Sequence, residues 1–104
     1  MTERSRPGRL LVSADHPALR DHFPGAPIPP GALLLQLLLD AAEDCYPERR
    51  ICGVEDLKFL RPLEVDLEAE VWFDLRDDAL DCEVRQAGST VIRGSFKTHP
   101  DSRR

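Results

Sequence analysis

Leucines stand at positions 33, 34, 35, 37, 38 and 39 within the stretch from Ala32 to Asp44. Ala, Leu and Gln are good helix formers, and leucines placed all round the axis leave no wide polar face in that half. A helix apolar on every side is a buried one. Polarity returns at Asp40, Glu43 and Asp44, and Pro47 stops the element. The second half of the chain switches to a period of two. Leu67, Ala69, Val71, Phe73 and Leu75 alternate with Glu68, Glu70, Trp72 and Asp74, which predicts a half-buried antiparallel strand. Leu80, Cys82 and Val84 alternate with Asp81, Glu83 and Arg85, and the stretch from Thr90 to Thr98 returns with Ile92 and Phe96 on one face. Arg76-Asp77-Asp78 and Gln86-Ala87-Gly88-Ser89 supply the turns between them. Ile51 to Leu60 adds a strand that ends at Arg61-Pro62, and Arg9 to Ala14 adds a short first strand.

Between the first strand and the helix, residues 15–31 hold five of the nine prolines. Proline fixes φ and removes a backbone donor, so this stretch is an ordered loop rather than a strand or helix interior. Phe23 and Ile28 within it need apolar cover. The order is therefore short strand, proline-rich loop, apolar helix, then about four antiparallel strands. One apolar helix and one sheet with an apolar face satisfy each other. The expected class is α+β, an antiparallel sheet wrapped around one central buried helix. The whole chain, 1–104, suits one domain, ordered over roughly 9–98, with charged tails at 1–8 and 99–104 expected to be flexible.

Composition narrows the function classes. A chain of 104 residues buries only about 60–65% of its unfolded surface, so further burial by self-association is expected. The formal net charge of −5 and the pI near 5.1 argue against nucleic acid as a partner. Three cysteines, Cys45, Cys52 and Cys82, form neither a C-x-x-C pair nor a zinc pattern. They read as reduced, mostly buried thiols, and no metal is expected. The polar N-terminus is unlike a signal peptide, and the run from Ala32 to Leu39 is too short to span a bilayer. A cytoplasmic location away from the membrane is expected.

One histidine stands apart. His22 precedes Phe23-Pro24-Gly25, and Gly31 opens the helix nine residues later. Prolines between them restrict the loop and can hold the imidazole in one place. A helix N-terminus presents unpaired N–H groups and the positive end of the dipole, suited to a carbonyl oxygen that gains charge. A histidine base beside such a donor is equipment for removing a proton next to a thioester carbonyl. His16 reads as a loop-capping side chain and His99 as inert. Trp72, among Glu68, Glu70 and Asp74, lies flat on the sheet or covers a partner surface.

His22-Phe23-Pro24-Gly25-x-Pro27-Ile28-x-Pro30-Gly31 resembles the H-F-P-G-x-P-[IV]-x-P-G signature of 3-hydroxyacyl-[acyl-carrier-protein] dehydratases. Leu57-Lys58-Phe59-Leu60-Arg61-Pro62-Leu63 is similar to the K-F-x-R-P-[VL] strand that follows the central helix in that family. The likeness covers roughly residues 9–98. It implies the hotdog fold and a homodimer, or a higher oligomer of dimers, with active sites at the dimer interface. It implies His22 as catalytic histidine and Gly31 as the glycine whose N–H polarises the thioester carbonyl. Ile28 would orient the ring through its backbone carbonyl, and Phe23, Pro24, Gly25, Pro30, Phe59 and Arg61 would shape the substrate site. No cofactor is implied beyond the phosphopantetheine of an acyl carrier protein, or coenzyme A, that carries the acyl group. That carrier is the expected partner, and Arg20, Lys58, Arg61, Arg93 and Lys97 are the cations nearest the inferred site along the chain.

The chain departs from the pattern at one place. An Asp or Glu is expected fourteen residues after the histidine, contributed from the other subunit, and this chain has Gln36 there, with Asp40 one turn on. An amide hydrogen-bonds but does not exchange a proton near neutral pH. Two readings follow. The chain dehydrates 3-hydroxyacyl thioesters to trans-2-enoyl thioesters, in fatty-acid or polyketide-type biosynthesis, with Asp40 or a water as proton relay. Alternatively it is a weak or silent hotdog subunit that binds acyl-carrier protein or pairs with an active homologue. A thioesterase on the same fold ranks third.

Overall fold

The computed structural model describes residues 5–19 and 29–101. Strand β1 (Ser5–Leu10) and a 3-10 turn (Pro17–Leu19) precede the helix α1 (Gly31–Cys45). Strands β2 (Arg49–Phe59), β3 (Ala69–Arg76), β4 (Ala79–Gln86) and β5 (Ser89–Pro100) follow. They form one antiparallel sheet in the order β1-β3-β4-β5-β2, with β1 and β2 at its edges. The alternation read from the sequence carries into the structure. Ala69, Val71, Phe73, Leu80, Cys82, Val84, Ile92 and Phe96 are buried in one cluster with Leu34, Leu38 and Ala42 of α1. Each large apolar side chain buried there is worth about 1.5–3 kcal/mol against leaving it in water.

Local chemistry sets the element ends. Pro30 in extended conformation is the N-cap of α1, and Leu33 and Leu34 N–H both bond to its carbonyl, at 3.0 and 3.2 Å. At the other end Tyr46 N–H bonds to Ala42 O at 2.8 Å, and Pro47 cannot extend the ladder. The buried Tyr46 ring stands edge-on to Phe73, and the Arg6 guanidinium lies 4.3 Å above it. Arg6 also pairs with Glu48 at 3.0 Å and donates to Cys45 O, which ties β1 to the end of the helix. The turn after β4 places Ala87 and Gly88 both at positive φ, the combination that matches the twist of a two-residue hairpin.

The structure departs from the sequence expectations in four places. The first strand was expected at 9–14 and stands at 5–10, because β3 begins at Ala69 opposite Leu10 and offers its partners toward Ser5. Residues 11–14 have no strand to pair with, although Val12 still enters the core. Pro7 is tolerated because β1 is an edge strand. The tail boundary at the other end also moves, since β5 runs through His99 to Pro100. The helix is buried along one stripe, Leu34, Leu38 and Ala42, while Ala32, Gln36, Asp40, Glu43 and Asp44 are exposed and Leu33, Leu35, Leu37 and Leu39 are half-buried. Finally, of the three free cysteines only Cys82 is buried, and Cys52 is exposed on the edge strand β2. Burial pushes the Cys82 thiol up to about 12.

Candidate active site

The first turn of α1 opens onto a groove. Its walls are Pro29, Gly31 and Leu34 on one side and Phe59, Leu60, Arg61, Pro62 and Leu63 on the other, enclosing about 380 Å³. Phe59 is the last residue of β2 and pairs with the buried Ile92. Directly opposed residues share a sheet face, so its ring points to the helix side, where it meets the start of α1. A Cβ built on Gly31 would lie 3.6 Å from two carbons of that ring, an ordinary contact. Gly31 has helical geometry without positive φ. The fold therefore does not require glycine at this position. Among the described residues, what the missing side chain leaves is an open approach to the helix N-terminus.

That end is rich in donors. No side chain caps α1, and the Gly31 N–H donates to no group among the described residues. Backbone donors in the first turn, at the positive end of the dipole, favour an oxygen carrying partial negative charge. The surrounding Leu34, Phe59, Leu60 and Leu63 are apolar, so the combination is one polar anchor in a greasy slot. Arg61 at its rim brings a cation.

Gln36 and Asp40 lie elsewhere in the single chain. Both are exposed on the outer stripe of α1 and neither lines the groove. They contact each other, with Gln36 Nε2 donating to Asp40 Oδ1 at 3.0 Å. This is the i,i+4 neighbour geometry of a helix face. It directs the amide N–H₂ to the carboxylate, and Gln36 Oε1 has no hydrogen-bond partner among the described residues.

Of the residues singled out from sequence, Pro30, Gly31, Phe59 and Arg61 gather at this helix terminus, with Pro30 supplying the cap and the others lining the groove. His22, Phe23, Pro24, Gly25, Ile28 and Arg20 lie outside the described residues. The remaining cations do not gather there. Arg93 and Lys97 alternate with the buried Ile92 and Phe96, so they face away from the helix, and Lys58 pairs with Arg93 on that same outer face. There Arg93 joins Trp72, Asp56, Asp74, Asp81, Glu83 and Ser95 around a second hollow of about 530 Å³. The Arg76 guanidinium holds the Asp81 carboxyl below its usual range through a 2.9 Å hydrogen bond. Sequence reasoning did not single out Leu34, Leu60, Pro62 or Leu63 as walls of the groove. Leu34 carried only a core signal, while Leu60, Pro62 and Leu63 neighbour Phe59 and Arg61 in the chain.

Among the described residues, no cluster of three or more His, Cys, Asp and Glu gathers as a metal would need. Nor is any helix of the described chain long and apolar enough to cross a membrane.

A family model described as ApeI-like, ApeI dehydratase, matches residues 2–94. The chain belongs to the ApeI-like dehydratase family. Three solved structures show the architecture of this ApeI-like chain in other proteins. The dehydratase heterocomplex ApeI:P from Xenorhabdus doucetiae superposes with a TM-score of 0.79 at 19% identity, over 93% of this chain and 88% of that one. An uncharacterised protein from Erwinia carotovora subsp. atroseptica gives 0.77 at 19% identity, over 96% and 88%. The sigma28-regulated virulence protein Cj0977 from Campylobacter jejuni gives 0.75 at 12% identity, over 97% and 72%. At such identities the likeness concerns the fold alone. One helix on a five-stranded antiparallel sheet is the hotdog fold. No curated protein matches the ApeI-like sequence.

Proposed function

We propose that this chain acts on 3-hydroxyacyl thioesters and eliminates water to give the trans-2-enoyl thioester. The observation that carries the reading is the groove at Gly31, an open helix N-terminus set in an apolar slot nine residues after His22. The thioester carbonyl would accept from Gly31 N–H, which stabilises the enolate-like oxygen as His22 removes the proton beside it. The acyl chain would lie against Leu34, Phe59 and Leu63. Arg61 at the rim suits the acidic surface or phosphate of an acyl carrier protein or coenzyme A.

The second half of the chemistry, handling the leaving hydroxyl, falls to Gln36 and Asp40. Neither reaches the groove in one chain, so a second subunit supplies them. The edge strand β2 offers the place to dock. It is 11 residues long and carries the exposed Val54 and Phe59, with the exposed Leu60 just beyond its end. Its outer edge pairs with no strand of the described chain, and such an edge is a template for another strand. Half-buried leucines at 33, 35, 37 and 39 flank the buried stripe of α1 and add apolar surface. A homodimer, or an oligomer of dimers, is the expected assembly. Sedimentation at micromolar concentration should return twice the chain mass of 11.7 kDa; a monomer would contradict the two-subunit site.

A second reading rests on the Gln36–Asp40 hydrogen bond. With an amide at the acid's position, the chain would bind acyl-carrier protein but turn over slowly, or work beside a homologue that supplies the acid. The X. doucetiae structure of the same fold is a dehydratase heterocomplex. Turnover separates the two. Pure protein incubated with a 3-hydroxyacyl thioester on carrier protein or pantetheine should form the enoyl product, followed by mass, and His22→Ala should not. Wild-type protein no faster than His22→Ala would reject the enzyme reading and leave the binding subunit.

A further inference from the structure

Gln86 ends β4 in the phase of Leu80, Cys82 and Val84, so its side chain enters the core and is only 4% exposed. A buried amide without partners is costly, and this one is well served. Its Oε1 accepts from Glu64 N–H at 2.8 Å, and its Nε2 donates to Glu64 O at 3.0 Å and to Leu67 O at 2.8 Å. The reciprocal pair with Glu64 imitates the bridge one strand residue makes with another. Both amide donors are used.

The segment held this way is not a strand. Residues 60–68 connect β2 to β3, and their backbone needs partners from outside any ladder. Leu60 N–H and Arg61 N–H bond to Val91 O at 2.8 and 3.3 Å at the near end, and Asp66 N–H bonds to Val12 O at 2.7 Å at the far end. Gln86 clamps the middle. Immediately before Glu64 come Arg61, Pro62 and Leu63, which form the wall of the groove facing Gly31. Leu63 is 2% exposed and packs into the core cluster. Any shift of the Glu64 backbone carries Leu63 with it.

We infer that Gln86 is a positioning residue whose clamp on Glu64 and Leu67 sets the width of the acyl groove, and thereby which acyl chains fit. The inference rests on the groove being the thioester site. Two variants test it. Gln86→Met keeps the length of the side chain and removes all three hydrogen bonds. Gln86→Glu keeps the acceptor for Glu64 N–H but sets a carboxylate against two carbonyls, a conflict relieved when the acid is protonated. Binding of short- and long-chain 3-hydroxyacyl-pantetheine amides is measured by calorimetry, with hydrogen exchange at the Glu64 amide followed alongside. Gln86→Met should change the long-to-short affinity ratio at least fivefold at every pH. Gln86→Glu should show the altered ratio near pH 8 and return toward the wild-type ratio near pH 5, since burial raises a carboxyl from its usual value of about 4.3. Faster exchange at Glu64 with an unchanged ratio in both variants overturns the proposal while leaving the groove's role intact. Absence of binding by the wild-type protein overturns the reading of the groove and the proposal with it. Should Gln86→Met fail to fold, the pH-dependent ratio of Gln86→Glu decides.

Discussion

Replacing Gln36 by glutamate is expected to raise the rate of enoyl thioester formation by about 10²-fold or more, the usual contribution of a positioned acid or base. The structure gives the reason for expecting a gain rather than a loss. Gln36 already stands where its amide touches Asp40 at 3.0 Å, on the exposed stripe of α1. A glutamate there needs no new space. In a two-subunit site this carboxyl would leave water, and burial disfavours its ionised form. A retained proton is what the leaving hydroxyl requires and what an amide cannot supply. The cost to the helix is small, because like charges at i and i+4 destabilise by only about 0.2–0.5 kcal/mol. Comparison of initial rates for wild type and Gln36→Glu on one 3-hydroxyacyl substrate reads the effect. Equal and slow rates would show that position 36 does not face the reacting hydroxyl, and equal and fast rates would point to Asp40 or water as a sufficient relay.

The largest expected loss of stability comes from a residue remote from the chemistry. Gly94 of β5 lies under the bulge where the register of β2 slips between Val54 and Asp56. A Cβ added there would collide with the carbonyl oxygen of Asp56 and stand 2.8 Å from Leu57 Cα. Both are backbone atoms of β2, so relief means moving the strand. Gly94→Ala is expected to destabilise by about 3 kcal/mol, at the upper end of ordinary overpacking. For a chain of this size that is a fall in Tm of roughly 12–24 °C. Gly53→Ala is the internal comparison. Its Cβ would meet only Lys97 Cβ, at 3.9 Å, and its effect should stay within about 1 kcal/mol. Thermal melts of the two variants side by side check the pair. A Gly94→Ala protein as stable as Gly53→Ala would mean that β2 does not press on β5 at the bulge. The same displacement would reach Phe59 two residues beyond Leu57, so Gly94→Ala should also weaken acyl binding.

Much of this architecture was legible before any coordinates. Strict alternation in β3 and β4 identified both strands to within two residues, since a half-buried sheet admits only that period. The leucine run identified α1 equally well. What escaped was information held by partners rather than by the segment itself. Pro7 and Gly8 disguise β1, and only the register against β3 shows that pairing begins at Ser5. The one-sided burial of α1 follows from where the sheet lies, which the leucines do not encode. Some misplacements were avoidable. Arg93 and Lys97 alternate with Ile92 and Phe96, and that parity already assigns them to the face opposite the helix. Gln86 sits in the buried phase of β4, a polar residue in an apolar slot, which is itself a signal. Arg61 lies past the end of β2, where parity no longer applies, and among the described residues it is the cation that reaches the groove. The Gln36–Asp40 contact follows from helical spacing, whereas its distance from the Gly31 groove is visible only in three dimensions.

The central claim is that the first turn of α1 and the β2 terminus form an acyl-thioester site. Amide nuclear magnetic resonance on uniformly ¹⁵N-labelled protein, titrated with a 3-hydroxyacyl-pantetheine amide, tests it most directly. The largest shifts should fall on Gly31 and spread to Leu34, Phe59 and Leu63, with Gly31 N–H moving downfield as it donates to the ligand carbonyl. Shifts centred instead on Trp72, Asp81 and Arg93, on the outer face of the sheet, or an unchanged Gly31 at saturation, would contradict the account.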